Sequence, residues 1–123
     1  MTAAQPLVLV IEDDEAIQDA MRMCIEDEGF RVEVSGNGRE ALDWLAGTSE
    51  LPCSILLDLM TPIMSGHQFR EAQLKDARIA KIPVVVISAD GKVDQKSKSM
   101  GVTRFLKKPI QLDDLLEILN SLR

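Results

Sequence analysis

The chain has 123 residues, of which 14 are basic and 20 acidic, so its formal net charge is −6. This length predicts one domain, and a hydrophobic content of 46% predicts a packed core and excludes a disordered chain. The acidic balance argues against direct nucleic-acid binding, which requires a basic face. Residues 1–6 show no signal peptide and no apolar run is long enough to span a membrane. We therefore expect a cytoplasmic protein without membrane contact.

The two cysteines, Cys24 and Cys53, do not form a metal-binding pattern. The chain has no CxxC motif, and its single histidine cannot complete a zinc site. We expect two reduced, buried thiols.

Short apolar runs alternate along the chain with segments of helical periodicity. The runs lack polar alternation, which indicates strands buried on both faces of a parallel sheet. In the helical segments, apolar residues recur at the spacing of one helix face. In chain order the predicted elements are a strand at 7–11, a helix at 14–28, a strand at 30–34, a helix at 38–47, a strand at 54–57, a helix at 66–80, a strand at 83–87, a helix at 92–100, a strand at 103–106 and a helix at 111–122.

Helix ends and one weak helix also stand out in the pattern. Three glycines follow helical segments and are expected at C-caps: Gly29, Gly47 and Gly101.

The segment 92–100 has the poorest apolar face, because only three of its residues could face a core: Val93, Ser97 and Met100. A helix that buries so little is expected to be loosely held.

The strict alternation of strand and helix predicts an α/β domain with helices on both faces of a parallel sheet. Five strands are too few for a closed eight-stranded barrel. We therefore predict an open, doubly wound (βα)5 sheet in the flavodoxin-like order 2-1-3-4-5. In such sheets ligands bind beyond the carboxyl ends of the strands, so the residues that end each strand are the candidates for a site.

Polar and charged residues end four of the predicted strands. Glu12 and Asp13 follow the first strand, Asp58 ends the third, Ser88 ends the fourth, and lysines follow the fifth. The predicted strand order should bring these side chains into one pocket. Two carboxylates about 4 Å apart repel by about 4 kcal/mol at an effective dielectric of about 20, so three of them require a cation. Carboxylates, a backbone carbonyl and water are ligands that suit Mg²⁺.

This pocket would suit the transfer of a phosphoryl group. Asp58 lies centrally, and a carboxylate can act as a nucleophile that forms an acyl phosphate. Ser88 could donate to one phosphoryl oxygen, and a lysine could neutralise another.

Four motifs in order, each at a strand end, resemble the receiver domain of two-component response regulators. They are the acid pair after the first strand, LLDLMTPIMSG around the third, VVVISA at the fourth and FLKKPI at the fifth. The resemblance covers about residues 7–122. It implies a receiver domain that occupies residues 1–123, stands alone and has no output domain.

The resemblance implies a role for each matching position. Asp58 resembles the phosphoacceptor, which would take its phosphoryl group from the phosphohistidine of a sensor histidine kinase or a histidine phosphotransfer protein. Glu12, Asp13 and the backbone carbonyl of Met60 would hold Mg²⁺ together with Asp58. Lys108 resembles the family's invariant lysine.

Lys107 is the rival for the lysine role, but two neighbours at a strand end point to opposite sides. We therefore expect Lys108, which directly precedes Pro109, to enter the site.

The resemblance also implies a switch. Ser88 would turn toward the phosphoryl group, and Phe105, expected to be a core aromatic, would turn inward after it. Together they would remodel the face of the fourth helix, fifth strand and fifth helix, which would bind a downstream target protein. Phe105 has no hydroxyl, so a tyrosine-type hydrogen bond to the target is unavailable. Met60 and Asp90, each two residues beyond a site residue, would influence the lifetime of the phosphoryl group.

Three other functions would share parts of this pattern. The main alternative is a phosphorylation-independent interaction module, which would have lost part of the set that is complete here. A magnesium-dependent phosphatase would need a second aspartate where this chain has Met60. A flavin protein would need a phosphate-binding loop where residues 12–15 are all acidic. We expect no enzyme in the usual sense, because the domain would catalyse only its own phosphorylation and dephosphorylation.

Overall fold

Strands and helices alternate strictly along residues 5–123, the part of the chain that the computed structural model describes. The signal-peptide prediction falls partly on residues 1–4, which lie outside the described residues. The elements in chain order are β1 Leu7–Ile11, α1 Glu15–Asp27, β2 Arg31–Ser35, α2 Gly38–Gly47, β3 Ser54–Asp58, α3 Gly66–Leu74, β4 Val84–Ser88, α4 Val93–Ser99, β5 Arg104–Lys107 and α5 Leu112–Ser121.

The five strands form one parallel sheet in the order β2-β1-β3-β4-β5, which confirms the predicted doubly wound fold. Every residue of β1, β3 and β4 is buried. This burial explains why their sequences are apolar runs without polar alternation. The sheet edges are different, because each edge strand pairs on one side only. In β5 only Leu106 is buried.

Successive residues of the strands point into two cores on opposite faces of the sheet. Val10 packs in one core with Met21 of α1 and Leu115 of α5. Its neighbour Ile11 packs in the other core, which includes Phe69 of α3. The α4 helix adds little to either core, since within Val93–Ser99 only Val93 and Ser97 are buried. The weak apolar face expected for this segment is therefore confirmed.

The first three helices begin with side-chain caps, and α4 does not. Asp14, Asn37 and Ser65 each accept a hydrogen bond from the backbone three residues on. Such a cap satisfies one of the free N–H groups of the first turn. The N-cap residue of α4 is Lys92, whose side chain makes no capping hydrogen bond.

The third helix is shorter than predicted and ends at Leu74. Residues after it form turns in which Asp76 accepts hydrogen bonds from backbone groups further along the chain. The fully buried Gln73 amide donates to the carbonyl oxygens of Ile79 and Ile82 at 3.0 and 3.1 Å. These local bonds stabilise turns instead of another helical turn.

Two of the three predicted C-cap glycines have the left-handed backbone expected of them. Gly29 has φ +100° and Gly101 has φ +72°. The prediction for Gly47 was wrong, because it is the last residue of α2 and the extended residue Thr48 ends the helix.

The cysteine prediction was partly wrong. Cys24 and Cys53 are free thiols, but both are only half-buried, because Cys24 lies on the surface helix α1 and Cys53 in the loop before β3. In the described part of the chain no helix is long and apolar enough to cross a membrane.

Candidate functional site

The carboxyl ends of the strands carry an acidic pocket. Glu12 directly follows β1, Asp58 is the last residue of β3, and Ser88 is the last residue of β4. Because β1, β3 and β4 are neighbours and parallel, their ends meet at one edge of the sheet. Lys108 follows β5 and completes the pocket from the side of β4.

Three carboxylates lie close enough to share one cation. Glu12 and Asp58 are only 2% and 3% exposed, whereas Asp13 is exposed. One oxygen of each of these carboxylates lies within 4.8 Å of the other two. All of the donors are hard, charged oxygens, which is the ligand chemistry of Mg²⁺, and the exposed Asp13 leaves a side open to water ligands. The donor set therefore fits the metal predicted from the sequence.

Lys108 is the basic partner of the two buried acids. Its Nζ donates to Asp58 Oδ2 at 3.0 Å and to Glu12 Oε2 at 3.2 Å. Its neighbour Lys107 belongs to β5 and is exposed. Of the two lysines considered from the sequence, the structure brings Lys108 into the pocket.

Crowding of acids changes the protonation of the pocket. Burial, followed by the proximity of the Asp58 carboxylate, raises the pKa of Glu12 from 4.5 to about 7, although Lys108 opposes the rise. Burial alone would lower the pKa of Lys108, but the bonds and charges of Asp58 and Glu12 outweigh it and raise that pKa. Three carboxylates and one ammonium meet in this pocket, so a divalent cation would balance its charge.

The loop after β3 fixes the Asp58 side chain. Asp58 Oδ1 accepts a hydrogen bond from the backbone N–H of Met60 at 2.9 Å. The Met60 side chain is 75% exposed. The other carboxylate oxygen faces Lys108, so both oxygens of Asp58 have defined partners.

Two residues that shape this loop were not singled out from the sequence. A Cβ at Gly66 would lie 2.8 Å from the Cα of Leu59, so only glycine fits against the chain beside Asp58. Ile63 has φ +68°, a strained conformation for a β-branched residue. Gly66 belongs to the LLDLMTPIMSG motif, which could have identified it, whereas nothing in the sequence indicates the conformation of Ile63.

Ser88 lies in the pocket wall with its hydroxyl engaged elsewhere. It is 1% exposed, and its Oγ accepts a hydrogen bond from the backbone N–H of Asp90 at 3.1 Å. Its carbonyl accepts from the backbone N–H of Lys108 at 2.9 Å. In the described residues no hydrogen bond joins the Ser88 hydroxyl to Asp58.

Phe105 is not a core aromatic, and that prediction was wrong. Its side chain is 40% exposed because β5 is an edge strand and the short α4 does not cover it. Phe105 stands between two surface hollows. One, of about 430 Å³, is lined by Asp94 and Lys98 of α4, and the other, of about 400 Å³, by Asp114 and Glu117 of α5.

Known proteins are similar to this chain in sequence and in architecture. Residues 8–120 match the response regulator receiver domain family. The response regulator Rre1 of Synechocystis is 33% identical over 123 residues, which is 97% of this chain and 52% of that protein. A structure of the chemotaxis protein CheY4 of Vibrio cholerae has a TM-score of 0.86 at 26% identity and covers 98% of this chain and 100% of its own. The chain thus spans about half the length of the curated relatives that it matches.

One further structure carries a metal. The receiver domain of the sensor histidine kinase PA1611 from Pseudomonas aeruginosa, 21% identical with a TM-score of 0.85, holds a magnesium ion in its active-site cleft. It covers 97% of this chain and 98% of its own. At this identity it supports the fold alone.

The fold and the relatives define one class of protein, the receiver domain built on a five-stranded parallel sheet. The chain belongs to the response regulator receiver domain family.

Proposed function

We propose that Asp58 accepts a phosphoryl group from the phosphohistidine of a sensor histidine kinase or a histidine phosphotransfer protein. The position of its carboxylate carries this proposal. It is buried at the end of the central strand, bonded to Lys108 and within 4.8 Å of two further carboxylates. A carboxylate with an adjacent ammonium and a cation-binding set is equipped for phosphoryl transfer.

The transfer is a displacement at phosphorus. A carboxylate oxygen of Asp58 forms the new P–O bond, the P–N bond to the donor imidazole breaks, and the imidazole leaves with its electron pair and takes up a proton. Lys108 compensates the charge of a phosphoryl oxygen, since its ammonium already lies 3.0 Å from Asp58. The domain promotes only its own phosphorylation and dephosphorylation, and is not an enzyme with an external substrate.

Glu12, Asp13, Asp58 and the backbone carbonyl of Met60 would hold Mg²⁺. When bound, the metal supplies positive charge to the phosphoryl oxygens and offsets the three carboxylates. The two buried acids are already oriented, Asp58 by the Met60 N–H and Glu12 by an N–H of Asp14 at 3.3 Å.

An apolar groove beside the pocket suits the docking of the phosphodonor. It has a volume of about 590 Å³ and lies between α1 and α5, with Ala20, Met21 and Leu112 in its lining. Lys108 and Ala89 line it too, so the groove is continuous with the pocket. A helix that carries the phosphohistidine could bury its apolar face here and present the imidazole to Asp58.

Phosphorylation would be transmitted to the face formed by α4, β5 and α5. Ser88 would donate to a phosphoryl oxygen, Phe105 would turn from its half-exposed position toward the interior, and the altered face would bind a downstream target protein. Signalling would therefore run through protein–protein contact, without direct nucleic-acid binding by these residues.

Intact mass after incubation with acetyl phosphate tests the acceptor chemistry. We expect one added phosphoryl group on the wild type with Mg²⁺, and none with EDTA or in Asp58→Asn. The matched control is Asp14→Asn, which removes a neighbouring charge that caps α1 and lies outside the acid cluster. An adduct on Asp58→Asn would show that another residue is the acceptor. Signalling that survives Asp58→Asn would favour the phosphorylation-independent interaction module.

A further inference from the structure

Asp90 connects the Ser88 hydroxyl to the α4 helix. Its backbone N–H donates to Ser88 Oγ at 3.1 Å. Its carboxylate accepts from the backbone N–H of Lys92 at 2.7 Å and pairs with the ammonium of Lys96. A single residue therefore contacts the switch hydroxyl through its backbone and the helix through its side chain.

These contacts stabilise the start of α4, which has no capping side chain of its own. The helix has no capping side chain at Lys92 and buries only Val93 and Ser97. The Asp90 carboxylate takes the place of a cap on the Lys92 N–H, and the Asp90 carbonyl accepts from the N–H of Val93 at 3.2 Å. With so little burial, these polar contacts account for a large part of what orients the first turn of α4.

We propose that the Asp90–Lys96 pair is a positioning latch that holds the β4–α4 loop and α4 in the unphosphorylated arrangement. This inference rests on the proposed phosphorylation of Asp58. As long as Asp90 is held by Lys96, its N–H keeps the Ser88 oxygen turned toward the loop. For Ser88 to reach a phosphoryl group, this hydrogen bond must be lost or the loop must move with it. Breaking the ion pair lowers the cost of either change.

The same contacts argue against a second role for Asp90. A carboxylate that oriented water for hydrolysis of the phosphoryl group would need an oxygen free to face the pocket. Here Oδ1 is bonded to the Lys92 N–H and Oδ2 to Lys96, both on the side of α4. Asp90 is therefore a positioning residue and not a catalytic one.

Two substitutions break the latch from either side. Asp90→Asn keeps an acceptor for the Lys92 N–H but loses the ion pair, and Lys96→Gln loses the pair from the other partner. The matched control is Lys98→Gln, which makes the same charge change on the same helix but touches no ion pair of the described residues. Fluoroberyllate in saturating Mg²⁺ serves as the probe, because it mimics a phosphoryl group on the acceptor.

We expect Asp90→Asn and Lys96→Gln each to bind fluoroberyllate about twofold to fivefold more tightly than the wild type, in line with the strength of a half-exposed ion pair. The double variant should match either single one, because both remove the same contact. Amide hydrogen exchange of α4 in the unliganded, metal-free protein should accelerate by a similar factor in these variants. Lys98→Gln should change neither quantity.

Each other outcome is decisive. If the wild type binds fluoroberyllate and both variants bind like Lys98→Gln, the latch is refuted and the proposed acceptor function stands. If Asp90→Asn alone slows loss of the phosphoryl group and Lys96→Gln does not, Asp90 acts on water and the latch is refuted. If the wild type does not bind fluoroberyllate at all, the acceptor function fails and the latch fails with it. A pair that merely stabilised the fold would leave fluoroberyllate affinity unchanged.

Discussion

Replacing Glu12 with glutamine should make the metal-free protein more stable at high pH and flatten its pH dependence. Glu12 is nearly fully buried, and its carboxyl has a pKa of about 7 in the folded chain against 4.5 for an ordinary glutamate. The folded state therefore binds a proton more tightly than the unfolded state. An acid of this kind contributes its full stability below pH 4.5 and loses it as the pH rises through about 7.

The magnitude follows from the displacement of the pKa. The rise of the Glu12 pKa from 4.5 to about 7 corresponds to a loss of about 3 kcal/mol in the free energy of unfolding as the pH rises over this range. Lys108 stays paired with Glu12 and offsets part of this loss, so the observable loss is on the order of 2 kcal/mol. In Glu12→Gln this loss should disappear, because an amide does not ionise.

Urea unfolding in EDTA at pH 5, 6, 7 and 8 measures the effect. The free energy of unfolding of the wild type should fall relative to Glu12→Gln across this range, and Asp14→Asn should follow the wild type. Wild-type and Glu12→Gln curves that run parallel from pH 5 to pH 8 would show that Glu12 titrates normally. That result would contradict a Glu12 pKa raised by burial and by the Asp58 charge.

Three further predictions concern the metal, the loop and the lysine. Asp13→Asn should weaken Mg²⁺ binding by about tenfold in calorimetry. It should not lower the urea midpoint in EDTA, because Asp13 is exposed. If the variant binds Mg²⁺ as tightly as the wild type, Asp13 is not a ligand of the metal. Gly66→Ala should destabilise the fold by about 1–3 kcal/mol in urea unfolding, because the added Cβ would meet Leu59. Gly91→Ala should cost far less, because nothing lies within 4 Å of a Cβ at Gly91. Equal effects of the two variants would contradict the close packing of Gly66 against Leu59. Lys108→Gln should cost about 1–3 kcal/mol in EDTA, because two buried carboxylates lose their shared cation; an unchanged urea midpoint would argue against that pairing.

The fold was predictable because its central strands are buried on both faces. In a chain of this length, a short uninterrupted apolar run such as that of β3 is typical of a strand covered by helices on both sides. Once parallel strands are accepted, the placement of polar residues follows, because all carboxyl ends lie at one edge of the sheet. The proximity of Glu12, Asp58 and Lys108 could therefore be predicted from residues up to 96 positions apart.

The predictions that failed concern residues whose environment depends on the length and orientation of a neighbouring element. Phe105 looks like a core residue in the sequence, since it precedes Leu106 in an apolar strand. Its exposure follows from the position of β5 at the sheet edge, which the predicted strand order already implies, and from the shortness of α4, which the residues around Phe105 do not encode. Likewise, the end of α3 depends on where the buried amide of Gln73 finds its acceptors.

The same edge position suits the proposed switch. A contact between Ser88 and a phosphoryl group can shift the equilibrium between two arrangements of this face only by the difference in its free energy between them. Because that difference is small, the element that moves must be weakly held. The proposed acceptor, Asp58, ends a strand that is buried throughout, which would keep the chemistry in place. Phe105 and α4 lie at an edge of the sheet, where α4 buries only Val93 and Ser97 and is joined to the preceding loop by the Asp90–Lys96 ion pair. Because the central strands are fully buried and the α4–β5 edge is weakly packed, one covalent group on Asp58 could change the face formed by α4, β5 and α5 without disturbing the core.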